Sequence, residues 1–236
     1  MGKFSMHDDI KMKETSLGGG SFLWDSGVYK TIVDMAYFDQ SQGGAHSLNV
    51  TLLNEDGKKL KQTLWFTNKK EEVHYINQKG EKDYLPSYTT ANNLCLIITG
   101  DDINETFEAS EKKMVNVYDF NEKKEKPTEK SVATALLGKQ VKVAILKQIV
   151  NKRVNDGTGK YVDSAETRDE NQIREFYFPD SDLTVVEKAK DAKEALMMPK
   201  WAERNTGKTL NRVKAVAGTT ATTATATKPA GKKLFN

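Results

Sequence analysis

The sequence predicts a mainly β protein: five strands curled into a small barrel, a helix between the third and fourth, a C-terminal helical appendix and flexible arms at both ends. Three observations carry that expectation. Segments rich in β-branched and aromatic residues, several with strict apolar–polar alternation, recur from Gly27 to Phe178. Turn-forming clusters such as Ser41-Gln42-Gly43-Gly44 and Asn54-Glu55-Asp56-Gly57 punctuate them. Helical spacing appears only between Ser87 and Thr99 and again beyond Pro179.

Residues 1–24 are polar and carry Gly18-Gly19-Gly20, whose ordering is entropically costly, so they read as a flexible arm. Val28 to Phe38 is the first strand. Ser47 to Leu53 is the second, with Leu48, Val50 and Leu52 on one face. Asp56-Gly57 is a hairpin signal, and Leu60 to Thr67 follows with Leu60, Leu64 and Phe66 inward. Val73–Asn77 and Lys82–Leu85 form a small hairpin around Gln78-Lys79-Gly80-Glu81. Ser87 to Thr99 is the helix, and Asp101 to Ser110 an acidic loop. Lys112 to Phe120 has strand character, and Asp119 to Ser131 is so charged that it reads as a solvated insertion. Lys139 to Arg153 is a long apolar strand, Asn155 to Gly159 a turn, and Gln172 to Phe178 the last strand. Asp182 is the expected N-cap of a helix through Val186, Ala189, Ala192 and Leu196, stopped by Pro199. The resulting expectation is a core domain over 25–180, a helical appendix over 181–207 and a disordered basic tail over 208–236.

Composition narrows the function classes. A net charge of +3 is too small for a polycation that coats any duplex, so any anionic ligand must be met by local clustering. The single cysteine, Cys95, lies in the apolar run Leu94 to Ile98; it excludes an intrachain disulfide framework and reads as a buried small hydrophobe. Met1 to Met6 has no secretory h-region, the myristoylation pattern fails at Met6, and no apolar stretch approaches membrane-spanning length. The expected location is the cytoplasm, without a membrane partner.

Catalytic signatures are weak. His7, His46 and His74 stand far apart, without neighbours at metal-ligand spacing, so no metal or other cofactor is expected. Asp101-Asp102 and the Asp180/Asp182 pair could serve a two-metal nuclease, but each lies beside Gly, Pro or Ser, where aspartate normally caps turns and helices.

A different pattern recurs on the strands. Opposite the apolar parity of the third strand lie Lys61, Thr63, Trp65 and Thr67, with Lys58, Lys59, Lys69 and Lys70 at its ends. Rings for base stacking and ammonium groups for phosphate are what a single-strand binder requires. Packing of Trp65 beneath the helix or insertion is the competing reading. Tyr37-Phe38 beside the small-residue loop, Tyr75 and Tyr84 on the small hairpin, and Lys142, Lys152 and Arg153 on the fourth strand repeat the theme. Lysine outnumbers arginine on these strands, which favours point-charge phosphate contact over base reading, hence little sequence preference.

Four stretches carry a family resemblance: Ser26 to Tyr29, Ala36 to Ala45, Leu64-Trp65-Phe66-Thr67-Asn68 and Tyr84-Leu85-Pro86. Over roughly Asp25 to Trp201 the chain resembles phage-encoded, OB-fold single-stranded DNA-binding proteins, the group that includes the T7-like binding proteins. The resemblance implies an OB-like five-stranded barrel with no catalysis. Its role would be to protect exposed strands during phage DNA replication and recombination in the bacterial cytoplasm. It makes the barrel's aromatic and basic face the binding surface: Tyr37, Phe38 and Trp65 stacking, with Tyr75 and Tyr84 beside them, and Lys61, Lys69, Lys70, Lys142, Lys152 and Arg153 meeting phosphate. Many such proteins end in an acidic tail with a terminal aromatic that recruits replication proteins. Here Phe235 is present, but lysines replace the acidic run, so partner recruitment through the tail stays open. Two alternatives also stay open: a phage protein-interaction factor using the same barrel, and the aspartate-based nuclease.

Overall fold

A computed structural model describes residues 23–119 and 122–216. The expectations for residues 1–22, for Phe120 and for the tail from 217 onward fall outside the described residues. Among those described, the protein is mainly β with few helices.

The main sheet begins with β1 (Gly27–Gln40), β2 (His46–Asn54) and β3 (Lys59–Trp65), an antiparallel meander. A bulge between Val33 and Met35 shifts β1's inward parity, so Thr31 and Val33 are buried before it, and Ala36 and Phe38 after it. Leu48, Val50 and Leu52 of β2 and Leu60 and Leu64 of β3 fill the same core, as their alternation predicts. Two short strands, β4 (His74–Ile76) and β5 (Lys82–Tyr84), form a separate hairpin.

Helix α1 (Pro86–Ile98) starts with proline in its first turn, where the missing N–H costs nothing, and buries Ala91, Leu94 and Cys95 in the core. The acidic stretch after it is a helix rather than a loop. In α2 (Ile103–Glu108), Asp102 accepts from the Glu105 backbone N–H while the Glu105 carboxylate accepts from the Asp102 N–H.

The charged stretch expected to be a solvated insertion is a strand. β6 (Glu111–Asp119) and β7 (Lys124–Val132) pair along nine positions. β7 joins the main sheet only where Tyr37 faces Val132 and Phe38 faces Ser131. Its cross-strand partners supply a backbone ladder that compensates for a polar composition.

β8 (Gln140–Asn155) pairs with β1 along its first half and with β9 (Tyr161–Tyr177) along nearly its whole length. The last strand therefore starts at Tyr161, well before the expected Gln172, and the two form a ribbon projecting beyond the core. The principal order is β9-β8-β1-β2-β3, and no backbone ladder joins β3 to β9 among the described residues. More than five strands are present and the sheet is not closed.

The appendix also departs from expectation. Its single helix is replaced by α3 (Val185–Ala189), capped by Thr184, and α4 (Met197–Asn205). Asp182 has a left-handed backbone (φ 63°) and pairs with Lys142. Pro199 lies in the first turn of α4, which tolerates proline, rather than stopping a helix. α4 packs on β1 and β8, and β10 (Thr209–Asn211) adds to β8 in parallel.

Candidate nucleic-acid interface

The outer face of β1–β2–β3 carries the strongest cluster of predicted residues. Cross-strand register sets Tyr37, Asn49 and Thr63 in one row and Asp39, Ser47 and Trp65 in the next. Met35, Thr51 and Lys61 make a third row. Side chains on a strand alternate between faces, so this parity points away from the core. The Thr63 hydroxyl donates to Asn49 Oδ1 at 2.6 Å, and Asn49 Nδ2 donates to Ser47 Oγ at 3.3 Å, which fixes the polar floor.

Trp65 is 44% exposed on this face. It is neither sealed into the core nor buried beneath the insertion. Tyr37 is half-buried, and burial, then the Asp39 carboxylate, pushes its phenol above the usual tyrosine range. Lys61 is exposed and stands 3.6 Å from Glu125 of β7. Lys69 and Lys70 lie in the turn after β3, exposed, with the Lys70 N–H held by Asn68 Oδ1 at 2.8 Å. That turn packs on the loop after β1: a side chain at Gly44 (φ 88°) would meet the Lys69 carbonyl at 3.3 Å, and Gln40 reaches Glu71 at 3.3 Å. The lysines are thus tethered beside the strand end that holds Trp65.

Phe38 does not belong to the interface. It is 4% exposed and makes edge contacts with Phe66 and Phe107. Adjacent strand residues face opposite sides, so Tyr37 and Phe38 cannot both stack bases on one face. Lys142 is mostly buried in an ion pair with Asp182, and it lies on the part of β8 that faces Lys30 of β1. Seven residues of strand, roughly 23 Å, separate Lys30 from Tyr37. Lys152 pairs with Glu166 at 2.8 Å on the projecting ribbon, where Arg153 donates to the Tyr161 carbonyl at 2.6 Å and lies 4.0 Å from Asp163. Carboxylates already neutralise these three cations, a pairing the sequence does not reveal because the partners are 10 to 40 residues away.

Tyr75 and Tyr84 are exposed on the β4–β5 hairpin rather than on the main sheet. Tyr84 stacks on Tyr88 of α1, centroids 4.9 Å apart and planes 24° from parallel. Tyr84 and Tyr88 thus form a second aromatic surface, while Tyr75, which pairs with Asp83 where Tyr84 pairs with His74, faces the other side of the hairpin.

Sequence reading missed the β6–β7 hairpin's part in this site. Lys130 of β7 donates to Asp39 at 2.7 Å, and Glu125 approaches Lys61, so the hairpin crosses the outer face from β1 to β3. The signal was present as charge alternation: Lys124, Lys126 and Lys130 occupy one parity, Glu125 and Glu129 the other.

Among the described residues, no group of three or more His, Cys, Asp or Glu side chains is arranged to hold a metal ion. Of the aspartates considered for a nuclease, Asp102 caps α2 and Asp182 pairs with Lys142. Burial pushes the Cys95 thiol up to about 11, far from nucleophilic reactivity at neutral pH. No helix among the described residues is long and apolar enough to cross a membrane. In comparisons with protein-family models and with curated proteins, nothing matches this chain.

Proposed function

We propose that this chain binds single-stranded DNA, largely without regard to sequence, on the outer face of β1–β2–β3. The observation that carries the reading is Trp65: a half-exposed indole on a polar outer face, with Lys61 on its own strand and Lys69 and Lys70 in the adjoining turn. A base stacked on such a ring contributes about 1–3 kcal/mol, and the stacking ignores base identity. Lysines meet phosphate as point charges, again without reading sequence.

The strand order supports the finer fold reading of an OB-like, partly open five-stranded barrel. In that reading β1, β2, β3, β8 and β9 are its strands, α1 fills the gap between β3 and β9, and β4–β7 and β10 are additions. The face proposed here is then the one through which such barrels commonly hold oligonucleotides. With the resemblance noted above, it makes the chain a non-catalytic phage protein protecting exposed strands during replication and recombination in the bacterial cytoplasm.

Titrating intrinsic tryptophan fluorescence with oligo-dT at low salt tests the reading. Quenching that saturates, with much weaker binding to duplex of the same length, is expected. No quenching and no shift of oligo-dT in a gel would overturn it.

A further inference from the structure

We propose that the β6–β7 hairpin is a strap over the bound strand, hinged on β1 and latched to β3 by Lys61 and Glu125, and that phosphate displaces Glu125 from Lys61 as the strand enters. The inference rests on the single-strand reading above.

The two ends of the hairpin are held very differently. At β1, Tyr37 and Phe38 pair with Val132 and Ser131, the Ala133 N–H donates to the Ala36 carbonyl at 3.0 Å, and Lys130 meets Asp39 at 2.7 Å. The Lys130 and Asp39 side chains are 17% and 33% exposed, so solvent screens that pair poorly. At β3 the hairpin is tied by an ion pair, Lys61 to Glu125, 3.6 Å apart with side chains 71% and 54% exposed, and β7 forms no ladder with β3 among the described residues. Ion pairs this exposed are weak. Between the ends, nine paired positions make the hairpin one stiff body that can swing about its β1 attachment.

β7 joins β1 on the side away from β2, so the hairpin must pass over the outer face to bring Glu125 to Lys61. Its ties run from Tyr37 and Asp39 on β1 to Lys61 on β3. A strand lying there must pass beneath the hairpin, and its phosphates compete for the lysine that Glu125 occupies. The arrangement favours unpaired strands, because the hairpin can close again over a single strand but not over the width of a duplex.

The test uses the full chain and compares Glu125→Gln with Glu129→Gln. Glu129 sits on the same strand and parity, is exposed, and its loss changes net charge equally. Labelled oligo-dT is titrated by anisotropy at low salt, and native-state hydrogen exchange of amides 113–117, 126 and 128–130 is followed with and without DNA. The expected result is about two- to fivefold tighter binding for Glu125→Gln than for Glu129→Gln, with faster association. Without DNA, the same variant should exchange those amides faster by a similar factor, and oligo-dT should slow exchange in the wild type. Identical behaviour of the two variants in both measurements would overturn the latch. If the wild type fails to bind oligo-dT at any salt, the single-strand reading falls instead, and unchanged exchange would still reject the latch separately.

Discussion

Gln62 of β3 accepts a hydrogen bond at its Oε1 from the backbone N–H of Ile173 on β9, at 2.8 Å. One side chain thus bridges the two strands that the sheet leaves without a ladder. Around it α1 packs on both strands, and Asn93 donates to Glu175 at 3.0 Å, so the seam is closed by side chains where backbone pairing fails. Gln62 has the inward parity of Leu60 and Leu64, opposite to that of Lys61, Thr63 and Trp65, so stability and binding can be probed separately.

Replacing Gln62 should therefore cost stability without touching the interface. Ile173 is buried, and its N–H would be left without an acceptor, a loss of about 1–3 kcal/mol. Urea unfolding of Gln62→Ala checks it, and an unchanged midpoint would mean that water replaces the amide.

Trp65→Ala separates interface from core. We expect oligo-dT affinity to fall by about 1–3 kcal/mol, about 5- to 150-fold, with a thermal midpoint within a few degrees of wild type. Phe38→Ala should do the opposite: about 3–5 kcal/mol of lost stability from the cavity it leaves, and unchanged intrinsic affinity where the protein remains folded.

Salt dependence counts the phosphates engaged. If Lys61, Lys69 and Lys70 each meet one, log Kobs should fall against log salt with a slope near about −2 for a single strand. A flat profile would rule out lysine–phosphate contact.

Glu175 gives a pH-dependent signature at the seam. Burial pushes its carboxyl above the usual range, against hydrogen bonds from Asn93 and the Phe176 N–H. The folded state then holds the proton more tightly than the unfolded one. Its contribution is fully present below the ordinary glutamate value of about 4.3 and is lost as pH rises through the higher folded value. In Glu175→Gln that loss should vanish, so the variant gains on wild type between pH 4 and neutrality, read by urea unfolding at several pH values.

Cys95 should resist alkylation by iodoacetamide in the native protein at pH 8 and react only on unfolding. Its thiol is buried and its deprotonation is pushed far above neutrality.

Alternation alone exposed the parts of the fold that follow local chemistry. Leu48, Val50 and Leu52 on one parity, and Leu60, Leu64 and Phe66 on another, identified the core faces of β2 and β3, and the opposite parity put Trp65 and Lys61 outside. The Asp101-Asp102 pair beside Gly100 signalled capping, and Asp102 caps α2. What resisted reading was every feature whose stabilising partner lies far along the chain. The Glu125-to-Ser131 segment looks solvated until β6 supplies its ladder, and Lys142 and Lys152 look available until Asp182 and Glu166 arrive. The bulge in β1, which turns Phe38 inward, is set by pairing with β2, and no single strand reveals it.

Composition and period-two patterning, then, determined by themselves that the chain is mainly β and which side of each early strand meets water, because side-chain alternation is a property of one strand. Tertiary structure alone decided which cations are spent on carboxylates, which strands stay unjoined and which hairpin crosses the Trp65 face, because charge neutralisation and backbone pairing depend on residues that only folding brings within a few ångströms.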